Sequence, residues 1–290
     1  MHSSLADLGH SSVNPGAKRQ FSSPPPRFFP LRAPVARGLR WSSGALGVVL
    51  LGLAYRWLTA QSWVAQAIVP SLGHIGQAFL EQVREPELWH DLGYSFLRVA
   101  AGFSAAALLA LPLGVLAGSF RLVGALLEPL CEFLRYIPVP ALIPLVMIVA
   151  GIDEQAKVLL VFLGTFFQLL LSTADEVRRV PLALVQVSQS MGATRLEIVR
   201  RVLTPAALPG IWVSLRMCNG WAWSYVVVAE LVAATEGLGF RILRFYRFIQ
   251  TPQIYVYLLV FGIVGLTLDW LFRVAGRSWF RWSLPRVEAE

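Results

Sequence analysis

The sequence predicts an all-α integral membrane protein with about six transmembrane helices and both termini in the cytoplasm. Three observations carry that expectation. Of 290 residues, 56% are hydrophobic and only 14% are charged, against roughly 25% charged in an ordinary soluble domain; the mean hydropathy is +0.60. Gly44–Leu53, Val99–Gly118 and Tyr255–Leu268 hold no charge at all, and a helix needs roughly 20 such residues to cross the hydrocarbon core. Lys18, Arg19, Arg27, Arg32, Arg37 and Arg40 precede the first apolar run against Asp7 alone, and Arg277, Arg281 and Arg286 follow the last. Excess positive charge marks the cytoplasmic side.

Taken in order, residues 1–40 are rich in Ser, Pro and Arg and read as a disordered cytoplasmic tail. A transmembrane domain over 41–282 follows. Its first span is Gly44–Leu58, edged by Trp41, Trp57 and Trp63. An external loop over 61–91 is net negative (Glu81, Arg84, Glu85, Glu87, Asp91), and within it Ser71 caps an amphipathic helix presenting Leu72, Ile75, Phe79 and Val83, expected along the outer membrane surface. The second span, Phe96–Gly118, holds Gly114 and Gly118 at the spacing that lets helix backbones approach. Pro138, Pro140 and Pro144 interrupt the third, Leu122–Val149. Such a break either lines a water-filled path or is a packing kink, and both readings stay open. An acidic turn at Asp153 and Glu154 leads to the fourth span, Val158–Leu171. Residues 175–209 carry Arg178, Arg179, Arg195, Arg200 and Arg201 and read as a cytoplasmic loop. Ile211–Ala234 and Tyr255–Val274 complete the six, before a cytoplasmic tail at 283–290. Arg241, Arg244 and Arg247, in the loop 236–252, fall outside the membrane against the charge rule.

Several chemistries are excluded. A net charge of +8 in a soluble protein would suggest nucleic acid; here it is distributed as a topology signal. Cys131 and Cys218 sit in apolar segments as packing residues, and His2, His10, His74 and His90 have no metal-ligand spacing. Both lysines, Lys18 and Lys157, follow alanine, so neither completes the Gly-Lys of a P-loop. The chain does not hydrolyse ATP alone, and no nucleophile motif suggests an enzyme.

The most specific feature lies in the cytoplasmic loop. Pro181 starts a helix over Leu182–Met191, Gly192 supplies a left-handed stop, and Thr194-Arg-Leu-Glu197 reads as a capping box opening a second helix toward Thr204, where Pro205 intervenes. Leu184, Val187, Met191, Leu196, Ile198, Val199 and Val202 are too apolar for a loop that faces only water. It should dock on something.

Here the residues resemble the permease subunits of binding-protein-dependent ABC importers, whose loop follows E-A-A-x-x-x-G-x9-I-x-L-P. Gln186-Val187-Ser188 stands in the E-A-A slot, Gly192 matches the glycine, and Val202, Thr204 and Pro205 stand for the last three. The resemblance covers residues 65–282. Leu134-Arg-Tyr-Ile-Pro138-Val-Pro140-Ala-Leu-Ile-Pro144-Leu, Gly151-Ile-Asp-Glu, Ala206-Ala-Leu-Pro-Gly, Gly220-Trp-Ala-Trp and Ala229-Glu-Leu are similar to the branch serving alkanesulfonate, taurine, nitrate and bicarbonate. It implies a type I importer permease fold in a bacterial inner membrane, paired with a second permease copy, two ATPase subunits and an external binding protein. ATP and magnesium would then bind the ATPase partners and no cofactor this chain. ATPase coupling would fall to Gln186, Val187, Ser188, Met191, Gly192, Ala193, Thr194, Glu197, Val202 and Pro205. The Gln186 departure removes the usual acidic contact.

For the path itself, ionisable groups inside a span are pointers because each is costly in hydrocarbon. Arg98 either attracts an anion or snorkels to the outer headgroups. Arg135 is placed near the inner surface, snorkelling. Glu230 reads as a helix-pairing or gating residue, and Asp269 and Arg273 as an i,i+4 pair. Asn219, Trp221, Trp223 and Ser224 line the path or bond between helices. With Pro138, Pro140 and Pro144 these form the candidate pathway, and Arg241, Arg244 and Arg247 a basic rim for an anion or a binding protein. A gradient-driven secondary transporter is the alternative.

Overall fold

The structure, a computed structural model, describes residues 37–61 and 68–283. The tail expected over 1–40 lies outside these as far as position 36, as do Trp63 and residues 284–290 of the terminal tail. All described secondary structure is helical, as the apolar periodicity requires.

The chain divides into two compact units, residues 1–55 and 56–290. Helix α1, Arg37–Thr59, contains the expected first apolar run and crosses that division. In the second unit follow α2 (Leu72–Arg84), α3 (Pro86–Ser119), α4 (Arg121–Arg135), α5 (Val139–Ala150), α6 (Glu154–Arg178), α7 (Leu182–Ser190), α8 (Arg195–Ile198), α9 (Thr204–Ala233), α10 (Leu238–Arg247) and α11 (Thr251–Trp279). Four helices are long and apolar enough to cross a bilayer, namely α3, the rod Arg195–Val232, α6 and α11, and the bent pair α4 and α5 makes a fifth. The first expected span, in α1, is not among them.

Helices α3, α6 and α9 form the centre. Glycines let α3 lie directly on α6: a Cβ on Gly114 would stand 2.6 Å from Thr173 Cβ, and one on Gly118 2.6 Å from the Ala174 carbonyl. The Gly114 and Gly118 pair is therefore a helix-packing device. Phe103, Val161, Leu169, Ala222, Trp223 and Val226 fill the space between the three helices, with Cys131 and Cys218 buried among them.

One expectation changes here. Helix starts at Pro86, so Glu87 and Asp91 belong to α3 and not to a loop, proline being suited to a first helical turn. Helix α2 keeps its Ser71 cap, whose oxygen accepts from His74 N at 3.3 Å, and it packs on α11 and α3 with Ile75 and Ala78 buried. Leu72 and Leu80 stay exposed on its other side.

The third span is broken outright. Helices α4 and α5 meet at 102°, because Pro138 disfavours helical geometry at Ile137 and denies the next turn a hydrogen bond. Helix α5 then lies on α6 and α9 through Val139, Ile143 and Val146. In contrast, Pro205 interrupts nothing. Val199–Leu203 forms a π-helical turn in which Thr204 N donates to Val199 O, and this widened turn accommodates the proline ring. Residues 195–232 run on as one rod.

Candidate functional site

Three regions gather the candidate residues, one at each end of the bundle and one between.

The loop between α6 and α9 folds by its own local chemistry. Helix α7 closes on Gly192, which has φ 81°. Gly192 N donates to Gln189 O at 2.9 Å and Ala193 N to Ser188 O at 3.1 Å, the two bonds of a Schellman stop. Thr194 opens α8 as a full capping box: its N donates to Glu197 Oε2 at 3.0 Å, and Glu197 N donates to its Oγ1 at 3.4 Å. Ile198 and Val199 are buried, so they anchor the element and are not part of its docking face. No residue of α7 is buried. Met191 is 82% exposed and Val187 60%, with Leu182, Leu184 and Leu196 exposed beside them. Gln186 is exposed on the same helix, and Val202 and Pro205 are half-buried at the π turn.

At the opposite end, carboxylates and cations that the sequence scatters converge. Arg98 is 2% exposed and Glu230 0%. The Arg98 guanidinium donates to Glu230 Oε1 at 2.7 Å, to Glu154 Oε2 at 2.5 Å and Oε1 at 2.8 Å, and to the Glu236 carbonyl at 2.7 Å. Lys157 donates to Glu154 at 2.6 Å. Ser95 Oγ donates to Glu230 at 2.7 Å and accepts from Leu238 N at 2.9 Å, while Gly239 N donates to Glu230 Oε2 at 2.8 Å. Asp91 accepts from Gly237 N at 2.9 Å and from Arg241 Nε at 2.6 Å. Cations Arg98, Lys157 and Arg241 thus balance carboxylates Glu154, Glu230 and Asp91. The turn before α10 folds directly over them: a Cβ on Gly237, whose φ is 118°, would stand 2.6 Å from Arg98 Nη1.

Arg98 is therefore committed to protein carboxylates, neither snorkelling to headgroups nor left open to an anion. Glu230 joins α9 to α3 through Arg98 and Ser95. Arg241 is removed from the basic rim: burial pulls its pKa down, the bond and charge of Asp91 outweigh this, and it ends above the ordinary arginine value. Arg244 and Arg247 remain exposed.

Between the two ends, the polar residues of α9 divide onto two faces. Asn219, Trp223 and Ser224 border a cavity of about 400 Å³ against α11, closed at one side by Arg216 and Asp269. Arg216 Nε stands 3.4 Å from Asp269, which also accepts from Arg273 Nε at 2.7 Å, so the expected pair is a triad. Trp221 and Ser224 border a second cavity, of about 450 Å³, against α6 and the break between α4 and α5. Arg135 lies there beside Gln168 and Tyr225. This differs from its expected position at the inner surface: the 15 residues of α4 carry Arg135, the last of them, up beside the middle of α6 and α9. Pro138, Pro140 and Pro144 are exposed along α5.

Sequence reasoning missed Asp91, Ser95, Lys157, Arg216, Gln168 and Tyr225. A usable signal existed for Lys157, which follows Glu154 at i,i+3 on an otherwise apolar helix.

Residues 110–282 match the family described as binding-protein-dependent transport system inner membrane component. SsuC of Escherichia coli, named for aliphatic sulfonates transport, is 34% identical over 235 residues, 80% of this chain and 89% of its own. The taurine transport system permease TauC of Escherichia coli is 32% identical over 260 residues, 87% and 92% of the two chains. The bicarbonate transport system permease CmpB of Synechococcus elongatus is 33% identical over 190 residues, 64% and 68%. Among solved structures, an inward-facing MetNI methionine ABC transporter chain is similar in fold, with a TM-score of 0.55 at 24% identity over 69% of this chain and 95% of that one.

Proposed function

The chain belongs to the binding-protein-dependent transport inner membrane component family, the permease subunits of ABC importers, and on that premise we propose that it forms the translocation path for a small anion delivered by an external binding protein. In this family ATP hydrolysis lies in a separate subunit, which replaces the gradient-driven alternative. A sulfonate such as taurine is the leading solute, with nitrate or bicarbonate as alternatives, in keeping with the names of SsuC, TauC and CmpB. Two copies pair in a bacterial inner membrane, and the ATPase partners carry the ATP and magnesium.

One observation carries this reading: α7 leaves every residue unburied and its largest apolar side chains exposed. Helix α7 fits a groove on the ATPase subunit. Its stop at Gly192 and the capping box at Thr194 fix it against the next helix, and the buried Ile198 and Val199 join it to the spanning rod. Closure of the ATPase pair on ATP then shifts the rods and opens the path alternately to either side.

Proteoliposomes containing this chain with its cognate ATPase and binding protein provide the test. ATP-dependent uptake of taurine or ethanesulfonate, abolished by omitting either partner, is the expected result. Uptake that persists without the ATPase defeats the reading.

A further inference from the structure

Resting on the importer reading above, we propose that Arg135, with Tyr136, Gln168, Trp221, Ser224 and Tyr225, forms a mid-membrane subsite that binds the oxyanion head of the transported solute.

Arg135 stands apart from the other arginines inside the bundle. Arg98 and Arg216 each face carboxylates. Among the described residues Arg135 has no ion-pair partner; its guanidinium stacks 5.0 Å from the Tyr136 ring centroid and donates to Tyr136 Oη at 3.3 Å. Among the described residues it is also the only formal charge bordering its cavity.

Depth sharpens the point. At 1.5 Å rise per residue, Gln168 lies about 21 Å along α6 from Glu154, and Ser224 about 14 Å from the far end of α9. Both are close to half a bilayer's thickness from a surface. A lone guanidinium there is costly against lipid, so it faces water or a counter-ion. The broken backbone beside it belongs where a water-filled path is lined.

The remaining chemistry suits a sulfonate, nitrate or bicarbonate head. Arginine offers a planar fork of donors that meets two oxyanion oxygens at once. Ser224 and Tyr225 hydroxyls, the Trp221 indole and the Gln168 amide supply neutral donors around it, and the Gln168 amide is already held by its bond to Ser172 Oγ at 3.2 Å. The cavity, about 450 Å³, admits a small organic anion with several waters at about 30 Å³ each.

The test uses the complete transporter in proteoliposomes, with ethanesulfonate, nitrate and bicarbonate as probes, reading uptake and binding-protein-stimulated ATP hydrolysis in parallel. Arg135→Gln should lower uptake of the transported anion at least tenfold while stimulated hydrolysis stays within twofold of wild type, and Arg135→Lys should recover part of the uptake. Ser224→Ala should raise the half-saturating concentration severalfold. Unchanged uptake in Arg135→Gln overturns the subsite. So does parallel loss of uptake, stimulation and assembly in both Arg135 variants, the result expected if Arg135 pairs with a carboxylate of the second copy. A wild-type complex whose hydrolysis ignores its binding protein instead defeats the importer reading, and the subsite with it.

Discussion

Arg98 on α3 and Glu230 on α9 meet at 2.7 Å, the carboxylate fully enclosed. The partner carboxylate Glu154 and the backbone N–H of Gly239 complete the site, so both members are satisfied only when α3, α6, α9 and the turn into α10 are assembled together. Removing one partner of such a pair typically costs about 3–5 kcal/mol, because the other charge is left buried. Arg98→Met should lower thermal stability of the purified protein by that amount. The double variant Arg98→Met with Glu230→Gln should be more stable than the single, and additive losses would contradict the coupling.

The rim arginines should separate cleanly. Arg241→Gln strands Asp91 and should destabilise the fold by about 2 kcal/mol or more, whereas Arg244→Gln and Arg247→Gln, both exposed, should stay within about 0.5 kcal/mol. Thermal melts of the three variants in one detergent decide it. If the exposed pair guides an anion or binding protein, their double variant will weaken uptake at low salt more than at high salt.

Gly114→Val should weaken the α3 and α6 contact. Its Cβ would overlap Thr173 and the Leu170 carbonyl, and overpacking costs about 1–3 kcal/mol. Gly220→Ala, where an added Cβ meets nothing within 4 Å beyond the backbone of its own helical turn, is the control and should be neutral or slightly stabilising in its helix. Equal melting losses in the two variants would argue against close packing.

At the docking face, Val187→Asp and Met191→Glu place charge on surface proposed to be buried against the ATPase. Each should reduce co-purification of that subunit at least tenfold, with the melting temperature of the permease alone unchanged. Gly192→Val acts differently: its φ of 81° costs a β-branched residue about 1–2 kcal/mol, so it should tilt or fray α7 and lower stimulated hydrolysis more than subunit binding.

These differences also explain what could be read from the chain. Gly192 and Thr194 act on backbone within a few residues of themselves, so the helix stop, capping box and exposed α7 were legible. Ser95 and Glu230 are 135 residues apart, and no local pattern joins them. Glu230 therefore offers a helix-pairing or gating reading with no partner to name, and only the fold supplies Arg98. Arg135 ends α4, 14 residues from its start at Arg121, so helical rise alone carries it about 21 Å from that start, a depth that its place just before the prolines conceals. Arg241 left a trace: a cation on the side where positive charge is disfavoured was the visible sign of a buried Asp91.

The π turn at Val199–Leu203 carries one residue more per turn than the α-helix on either side. The surplus is taken up locally, because π residues rotate less per step than α residues and five of them advance the rod little more than four α residues would. Deleting one residue there would let the rod close as continuous α-helix with both ends near their present phase. The joint between the α7 and α8 element and the spanning rod is thus a place where an added residue is carried without turning the rest.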